Sequence, residues 1–556
     1  MHWAVLATIL MVAILLRVMA IDAQGLETDE AMTIVLSNWS ILDMLLLPTD
    51  PTPFLYYGIH KLLLSANSSI AAIRSISVVA GVMSVGVMYL LGRLAFGATG
   101  GLLTAALLAV WSSHVDYSQE ARAYSVLFLL TLLTSLGLLY YAHWLQREAA
   151  EPDKARFGRR LALVVFGLGN VLSFYTHVIS IFWIVLTCFL LLGIVVRERQ
   201  SHRPELVTVF GVMAILATPG IYRLVLQMFV GDAFDWLSQP GLMRFASANA
   251  EIFLPIGLWD NSLTNALGIS RIGKGVVLAG AVALVSSALW FDGRRVLRRL
   301  QERPAVLWVI LAYLTVPIVV WLFGFVARPL FLPRVILFCV PGLILLIAAV
   351  CFAFERRVAA RAGIAVVLLY GGSTLLFGTM REKEDWRGAY DYLAASVAPT
   401  DVIAVCPIYN YPTLRYHAVA PVASAVLAIA SGGRLLQIED GLGPNRDWDK
   451  TYFRHEEEGS RYAVLASRVI GRRATAHDAS VAAKLELLPS QSLWRVDGRC
   501  GPSDAAVMDA RLRGLDPDPK VVWREPILQW DYTVTIRRYR ITVPVALDIQ
   551  HLVSQR

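Results

Sequence analysis

Clustered carboxylates follow the first apolar run of this chain. The stretch GLETDEAMTIVLSNW begins at Gly25 and sets Glu27, Asp29 and Glu30 almost side by side. A carboxylate within reach of a substrate proton, tuned by a charged neighbour, is a general base. Asp29 suits that role, with Glu30 beside it to bind metal or substrate. The same pair also reads as a solvated helix start, because acidic groups favour a helix N-terminus. A second cluster lies in HVDYSQEARAYSVL, from His114, where Asp116, Glu120 and Arg122 occupy the turn between two apolar runs. Guanidinium grips phosphate or carboxylate through paired hydrogen bonds. Arg122 is therefore either an anion clamp or one half of a structural ion pair. In a helix beginning near Ser118, Glu120 and Tyr124 share a face. The stretch SFYTHVIS places His177 between two short apolar runs. A satisfied buried histidine is the plain reading there, a base or ligand the sharp one. RPLFLPRVILF sets Arg328 and Arg334 at the head of a late run. They either snorkel to headgroups or bind a lipid phosphate.

The elements that position these groups are membrane helices. Of 556 residues, 56% are hydrophobic and 17% charged, against about 25% charged in a soluble globular chain. Crossing hydrocarbon takes about 20 apolar residues. About eleven runs qualify, beginning near Trp3, Ala71, Gly100, Ala123, Leu161, Val178, Leu206, Gly275, Ala305, Arg334 and Gly363. The first lacks a basic start and a clean cleavage site, so it reads as an anchor rather than a signal peptide. The net charge of +8 does not mark a nucleic-acid surface. Basic residues instead form short clusters between runs: Arg93, Arg147 to Arg160, Arg197 to Arg203, Arg294 to Arg303, and Arg356 to Arg361. Such clusters face the cytoplasm. The amino end is then cytoplasmic, and the Asp29 cluster and the C-terminal part lie outside. Ionisable groups at membrane depth are costly and mark function by default. Here they gather at the outer ends of the early spans.

Two outer loops, about 21–70 and 222–271, exceed ordinary connectors. The first contains two amphipathic stretches, Ala31 to Leu47 and Pro53 to Leu64, read as helices on the membrane surface. The second carries spaced Trp, Phe and Leu in FDWLSQPGLMRFASANAEIFLPIGLW and reads as another. Residues 1–380 thus form an all-α polytopic membrane domain, and residues 381–556 a C-terminal extracytoplasmic α/β domain. In the latter, EDWRGAYDYLAASV reads as an amphipathic helix, and DVIAVC and RYAVLASRV as buried strands. WDYTVTIRRYRITVPV alternates like a half-exposed strand, and its alternation slips at Arg537–Arg538, as at a bulge. Cys406 and Cys500 either form a disulfide, if this part is outside the cytoplasm, or are two unrelated thiols. Cys188, Cys339 and Cys351 lie inside apolar runs as core thiols.

Several stretches recur in a familiar order along residues 3 to 380. The acidic pair Asp29–Glu30 is followed by PTPFLYYGIHKLLL with His60. Arg74 heads the second run. Gln119, Glu120, Ala121, Arg122 and Tyr124 form a Q-E-A-R-x-Y motif. Tyr175, Thr176 and His177 follow the fifth run, and Pro333, Arg334 and Pro341 a late one. Together these resemble the polyprenyl-phosphate-dependent glycosyltransferases of the GT-C type. The nearest are the protein O-mannosyltransferase group and its bacterial relatives, including the lipid A aminoarabinose transferases. Val335 stands where that family usually has tyrosine.

The resemblance implies transfer of one sugar from a polyisoprenyl-phosphate donor to an acceptor at the outer face of a cell (inner) membrane. The acceptor is a glycan, a lipid or a protein. Asp29 would deprotonate it for a direct, inverting attack. Arg122, Arg334 and Lys61 would face the lipid phosphate, where charge builds in the transition state. His60, Tyr124 and His177 would line the donor site. Glu30, Asp116 or Glu120 would hold a divalent cation or orient the sugar; family members differ on metal use. A polytopic transporter or lipid flippase shares the spans and buried charges. It would more often show inverted repeats and charges near the midplane.

Overall fold

The computed structural model describes residues 2–46, 52–64, 69–198, 202–230, 241–255, 293–353, 356–377, 384–406, 410–418, 422–423, 425–430, 434–438, 481–498, 500, 502–512, 515–516, 519–524 and 534–551. The expected span from Gly275, the strand RYAVLASRV and most of the stretch before Gly241 lie outside these residues. The chain divides into two compact units: Met1–Ile21 with Met44–Arg381, and Asp22–Asp43 with Glu382–Arg556.

In chain order the first helices are α1 (His2–Val18), α2 (Thr28–Ser37), α3 (Ile41–Leu46), α4 (Phe54–Leu64), α5 (Ile70–Ala109), α6 (Ser112–Ser118) and α7 (Tyr124–Arg147). Next come α8 (Pro152–Phe174), α9 (Ser180–Glu198), α10 (Arg203–Val230), α11 (Leu242–Phe253) and α12 (Pro304–Val326). A 3₁₀ segment, Pro333–Cys339, leads into α13 (Val340–Cys351), and α14 (Arg356–Phe377) follows. Among the described residues, 7 helices are long and apolar enough to cross a membrane, and α1 and Ala360–Leu375 are shorter apolar helices. This is a multi-pass membrane protein. Every expected start except that near Gly275 falls on one of these helices or within two residues of its first turn.

The expected second and third spans are the two arms of α5. Gly97, at φ 79° and ψ −176°, breaks the helix between them; only glycine takes that conformation without strain. The second arm folds back along the first, and Thr104 Oγ1 donates to Met88 O at 3.0 Å. Elsewhere α7 packs closely on α8. A Cβ at Gly137 would meet the backbone of Phe166, and one at Gly169 the side chain and backbone of Thr134. Lipid tails are as apolar as leucine, so such close backbone approach is what holds membrane helices together. In the core, Trp183 stacks on Tyr313 at 4.1 Å. The Tyr313 hydroxyl is 2.8 Å from Ser135 Oγ.

The end of α7 near Arg147 carries a compact charge cluster. Arg159 of α8 donates to Glu148 at 2.9 Å and to Glu205 of α10 at 3.4 Å. His202 lies 3.1 Å from Glu148, and the Tyr141 hydroxyl donates to Glu205 at 3.2 Å. Three helices are tied there by charge.

The C-terminal unit contains α15 (Trp386–Ser396), α16 (Tyr411–His417) and α17 (Pro502–Leu512). Its strands are β1 (Val402–Cys406), β2 (Ala425–Ala430), β3 (Arg434–Ile438), β4 (Val481–Leu487), β5 (Ser492–Asp497), β6 (Lys520–Arg524), β7 (Thr535–Arg540) and β8 (Val545–His551). They form one sheet in the order β4-β8-β3-β2-β1-β5-β7-β6. Central β1 is parallel to both neighbours. Alternate residues of β1 serve two cores. Ile403 and Val405 pack with Trp386 and Leu414, whereas Val402, Ala404 and Cys406 pack with Met508 and Leu512.

Three readings of the sequence change. Residues 31–47 do not form one surface helix: α2 and α3 are separate, and α2 belongs with the C-terminal unit, packed on α16. It buries residues almost all round, from Thr28 to Ser37, which a helix lying in an interface does not. The alternating stretch ending in ITVPV is not a single strand. It supplies β7, and β8 starts beyond the next turn to pair at the other side of the sheet with β4 and β3. The register irregularity lies in β6 between Val521 and Trp523, opposite Ile536 and Arg537.

Candidate active site

The segment joining α5 to α7 is polar in sequence yet buried. Asp116 is 8% exposed, Glu120 4% and Arg122 6%. Charged groups this buried are held by specific partners. Short helix α6 and the turn after it carry all three. The Arg122 main chain is pinned on both sides: its N–H donates to Glu120 O at 2.8 Å, and its carbonyl accepts from Ser77 Oγ at 3.2 Å. The guanidinium Nη1 lies 3.5 Å from the hydroxyl of Tyr57, to which it donates.

Tyr57 belongs to α4, and that helix brings further groups. The Tyr56 hydroxyl is 3.0 Å from Ser77 Oγ, and its ring is 4.6 Å from that of buried His60. Lys61 follows, half-buried. The Leu55 N–H donates to Tyr175 O at 3.1 Å, tying α4 to the turn after α8. In that turn His177 Nδ1 accepts from the Ile179 N–H at 3.2 Å, so the neutral ring carries its proton on Nε2. The His177 ring lies 5.9 Å from Tyr124, which lies 5.5 Å from Tyr117. His60, Arg122, Tyr124 and His177 are thus linked at one end of the membrane helices. Arg334, half-buried, opens the 3₁₀ segment that packs on α6 and α7. Helix α11 of the second long loop meets the same segment: Ile252 O accepts from Trp111 Nε1 and from Ser113 Oγ, both at 2.9 Å.

Arg17, His114 and Gln119 build this end through contacts that their residue types do not announce. Arg17, near the end of α1, is fully buried. It donates to Ala109 O at 3.0 Å and Leu108 O at 3.2 Å, satisfying carbonyls that a helix end leaves open. Its Nη2 also meets His114 Nδ1 at 2.8 Å, and its Nε donates to Ser118 Oγ at 3.3 Å. Burial, and then the Arg17 charge, hold the His114 pKa well below the ordinary 6.5. Gln119 donates to Leu16 O, Arg17 O and Met19 O, the shortest at 2.9 Å. For Arg17 a lone arginine closing an apolar run is the sole sequence signal, and its main partners are backbone carbonyls; Gln119 is visible through the Q-E-A-R-x-Y motif.

Asp29 and Glu30 lie in the first turn of α2, within the C-terminal unit. Glu30 is fully buried and its Oε2 accepts the Glu27 N–H at 3.1 Å, the reciprocal half of a helix cap. Asp29 is half-buried. The preceding Thr28 is anchored: its hydroxyl lies 3.1 Å from Asn410 Oδ1 and 3.3 Å from Glu384 Oε2. Glu384 in turn accepts from Trp386 Nε1 at 2.8 Å. Cys406 and Cys500 are joined in a disulfide, with Cα atoms 5.4 Å apart. Among the described residues, the group of three possible ligands close enough to share a metal ion is Cys406, Asp497 and Cys500. Two of those are bonded to each other, so this donor set does not suit a metal.

No protein-family model and no curated sequence matches this chain. Among solved structures it is similar to ArnT from Cupriavidus metallidurans in the apo state. The TM-score is 0.55 at 14% identity, covering 95% of this chain and 97% of that one. The same protein bound to undecaprenyl phosphate gives a TM-score of 0.52 at 12% identity, over 95% of this chain and 97% of that one. The chain has the GT-C fold. The GT-C architecture of membrane helices followed by a C-terminal domain is the one described above.

Proposed function

We propose that this protein is a membrane glycosyltransferase that moves one sugar from a polyprenyl-phosphate donor to an acceptor at the outer face of the cell membrane. One observation carries the reading: the buried Asp116–Tyr124 segment, with Arg122 held between Tyr57 and Ser77 at one end of a GT-C helix bundle. A donor whose tail stays in lipid must present its phosphate at the interface, where groups at helix ends meet it. ArnT, with the same fold, has been crystallised with undecaprenyl phosphate, which supports a donor of that class here.

In the proposed reaction, Asp29 takes the acceptor's proton and the acceptor oxygen attacks the anomeric carbon. The bond from that carbon to the phosphate oxygen breaks, and the lipid phosphate leaves with the electron pair. Direct displacement inverts the anomeric centre. Arg122, with Arg334 and Lys61, stabilises the charge that grows on the phosphate. His60, Tyr124 and His177 line the donor side, and Asp116 and Glu120 orient the sugar. The distribution of Lys and Arg puts the amino end in the cytoplasm and the C-terminal domain outside. The Cys406–Cys500 disulfide supports that placement, since such bonds persist in oxidising compartments.

The test is to delete the gene, compare envelope glycans and lipids by mass spectrometry, and complement with wild type or Asp29→Asn. Loss of one glycosylated species, restored by wild type but not by Asp29→Asn, is expected. Full restoration by Asp29→Asn would remove the base assignment, and an unchanged envelope would remove the reading.

A further inference from the structure

We infer that Thr28 and Asn410 are positioning residues for Asp29, so that the C-terminal domain serves as the mount of the base. The inference rests on the reading of Asp29 given above. Its ground is a chain of buried hydrogen bonds inside the C-terminal unit. Strands β1 and β5 lie side by side and parallel. Their carboxyl ends are locked together, because the Gly498 N–H donates to Cys406 O at 3.2 Å and Cys406 is bonded to Cys500. In open parallel sheets this is where side chains for a functional site collect. Asn410 is fully buried there. Its Nδ2 donates to Cys406 O at 2.9 Å and to Gly498 O. With both amide hydrogens committed to the strand ends, the amide has one orientation, and Oδ1 must face the Thr28 hydroxyl.

Thr28 immediately precedes Asp29. A helix resting on apolar contacts alone retains some freedom to rotate about its axis, whereas a directional hydrogen bond at its first residue removes it. Thr28 is 2% exposed and Glu30 fully buried. The neighbours on both sides of Asp29 are thus clamped, Thr28 to Asn410 and Glu384, and Glu30 to the Glu27 N–H. Half-buried Asp29 is the member of the trio that the first turn presents. Losing the clamp leaves its carboxylate intact but lets it wander, and reaction rates fall steeply with small misplacements.

The experiment uses the full chain in the deletion strain, with the envelope species lost on deletion as readout. Thr28→Val keeps shape and removes the hydroxyl; Thr28→Ser keeps the hydroxyl; Asn410→Ala removes the anchor. The expected result is that Thr28→Val forms the product about tenfold more slowly or worse, while Thr28→Ser stays near wild type. The purified Thr28→Val protein should melt with wild type and bind undecaprenyl phosphate equally well, which a loss of fold would not allow. If Asn410→Ala fails to fold, the Val and Ser pair still decides. Wild-type product formation by Thr28→Val, with Asp29→Asn inactive, would overturn the positioning role and leave the base standing. Equal impairment by Val and Ser would also overturn it. Full activity of Asp29→Asn would remove the base and this inference with it.

Discussion

Near Arg147, at one end of α7, Arg159 sits between Glu148 and Glu205. Near Tyr124, at the other, Arg122 reaches a phenol and is braced by a hydroxyl, with imidazoles close by. Both arginines are buried, and composition does not tell them apart. What differs is the setting. Two carboxylates match the charge of Arg159 and bind three helices into one block. Tyr57 orients the Arg122 guanidinium, and the phenols and imidazoles of α4, α7 and the turn after α8 gather at the same end. Charge at a helix end becomes a candidate for function through what surrounds it, and the residue type alone decides little.

The contrast is open to tests, of which the largest concerns Arg159. Its replacement by alanine leaves two partly buried carboxylates facing each other and should cost about 3 kcal/mol, reduced from the fully buried case by their exposure. Denaturant unfolding in detergent would show this, with affinity for undecaprenyl phosphate nearly unchanged. A matching collapse of that affinity would erase the distinction between the two ends. Arg122→Ala should shift the balance the other way: affinity for undecaprenyl phosphate falls about thirtyfold, near 2 kcal/mol for a charged hydrogen bond, with a smaller loss of stability than Arg159→Ala. Tyr57→Phe removes the orienting hydroxyl and should weaken the same binding by about 1 kcal/mol. The smallest effect is a pH dependence from His114. Its folded pKa lies well below 6.5, so as pH falls the unfolded chain takes the proton first. The stabilisation from keeping this ring neutral is whole above that value and is lost as pH drops through it toward the folded pKa. Between pH 7.5 and pH 6 the wild type should lose about 0.8 kcal/mol that His114→Gln retains.

The helices were legible because hydrocarbon demands long unbroken apolar runs, and the chain supplies them in order. Gly97 turns the chain inside α5, and the two arms it separates are each legible as apolar runs. The stretch from Asp116 to Tyr124 was legible as a site candidate because charge beside apolar runs is costly. The support from Arg17 is not, because it acts largely through backbone carbonyls, which carry no sequence signature. Helix α2 shows another limit. An amphipathic pattern tells which face is covered but not what covers it, so a helix of the C-terminal unit was read as lying on lipid. Sheet order was equally hidden, since β8 pairs with β4 and β3 far along the chain, and nothing local to ITVPV dictates that partner.

The union of α2 with the C-terminal domain has a consequence for how the protein is made. Thr28 and Asn410 are separated by 382 positions, so the ribosome delivers the carboxylates long before it delivers the surface that receives them. A nascent or truncated chain holding every membrane helix still lacks the docking partner of its acidic helix. The seat of α2 is therefore completed last, when the distal domain and its Asn410 have been made and folded.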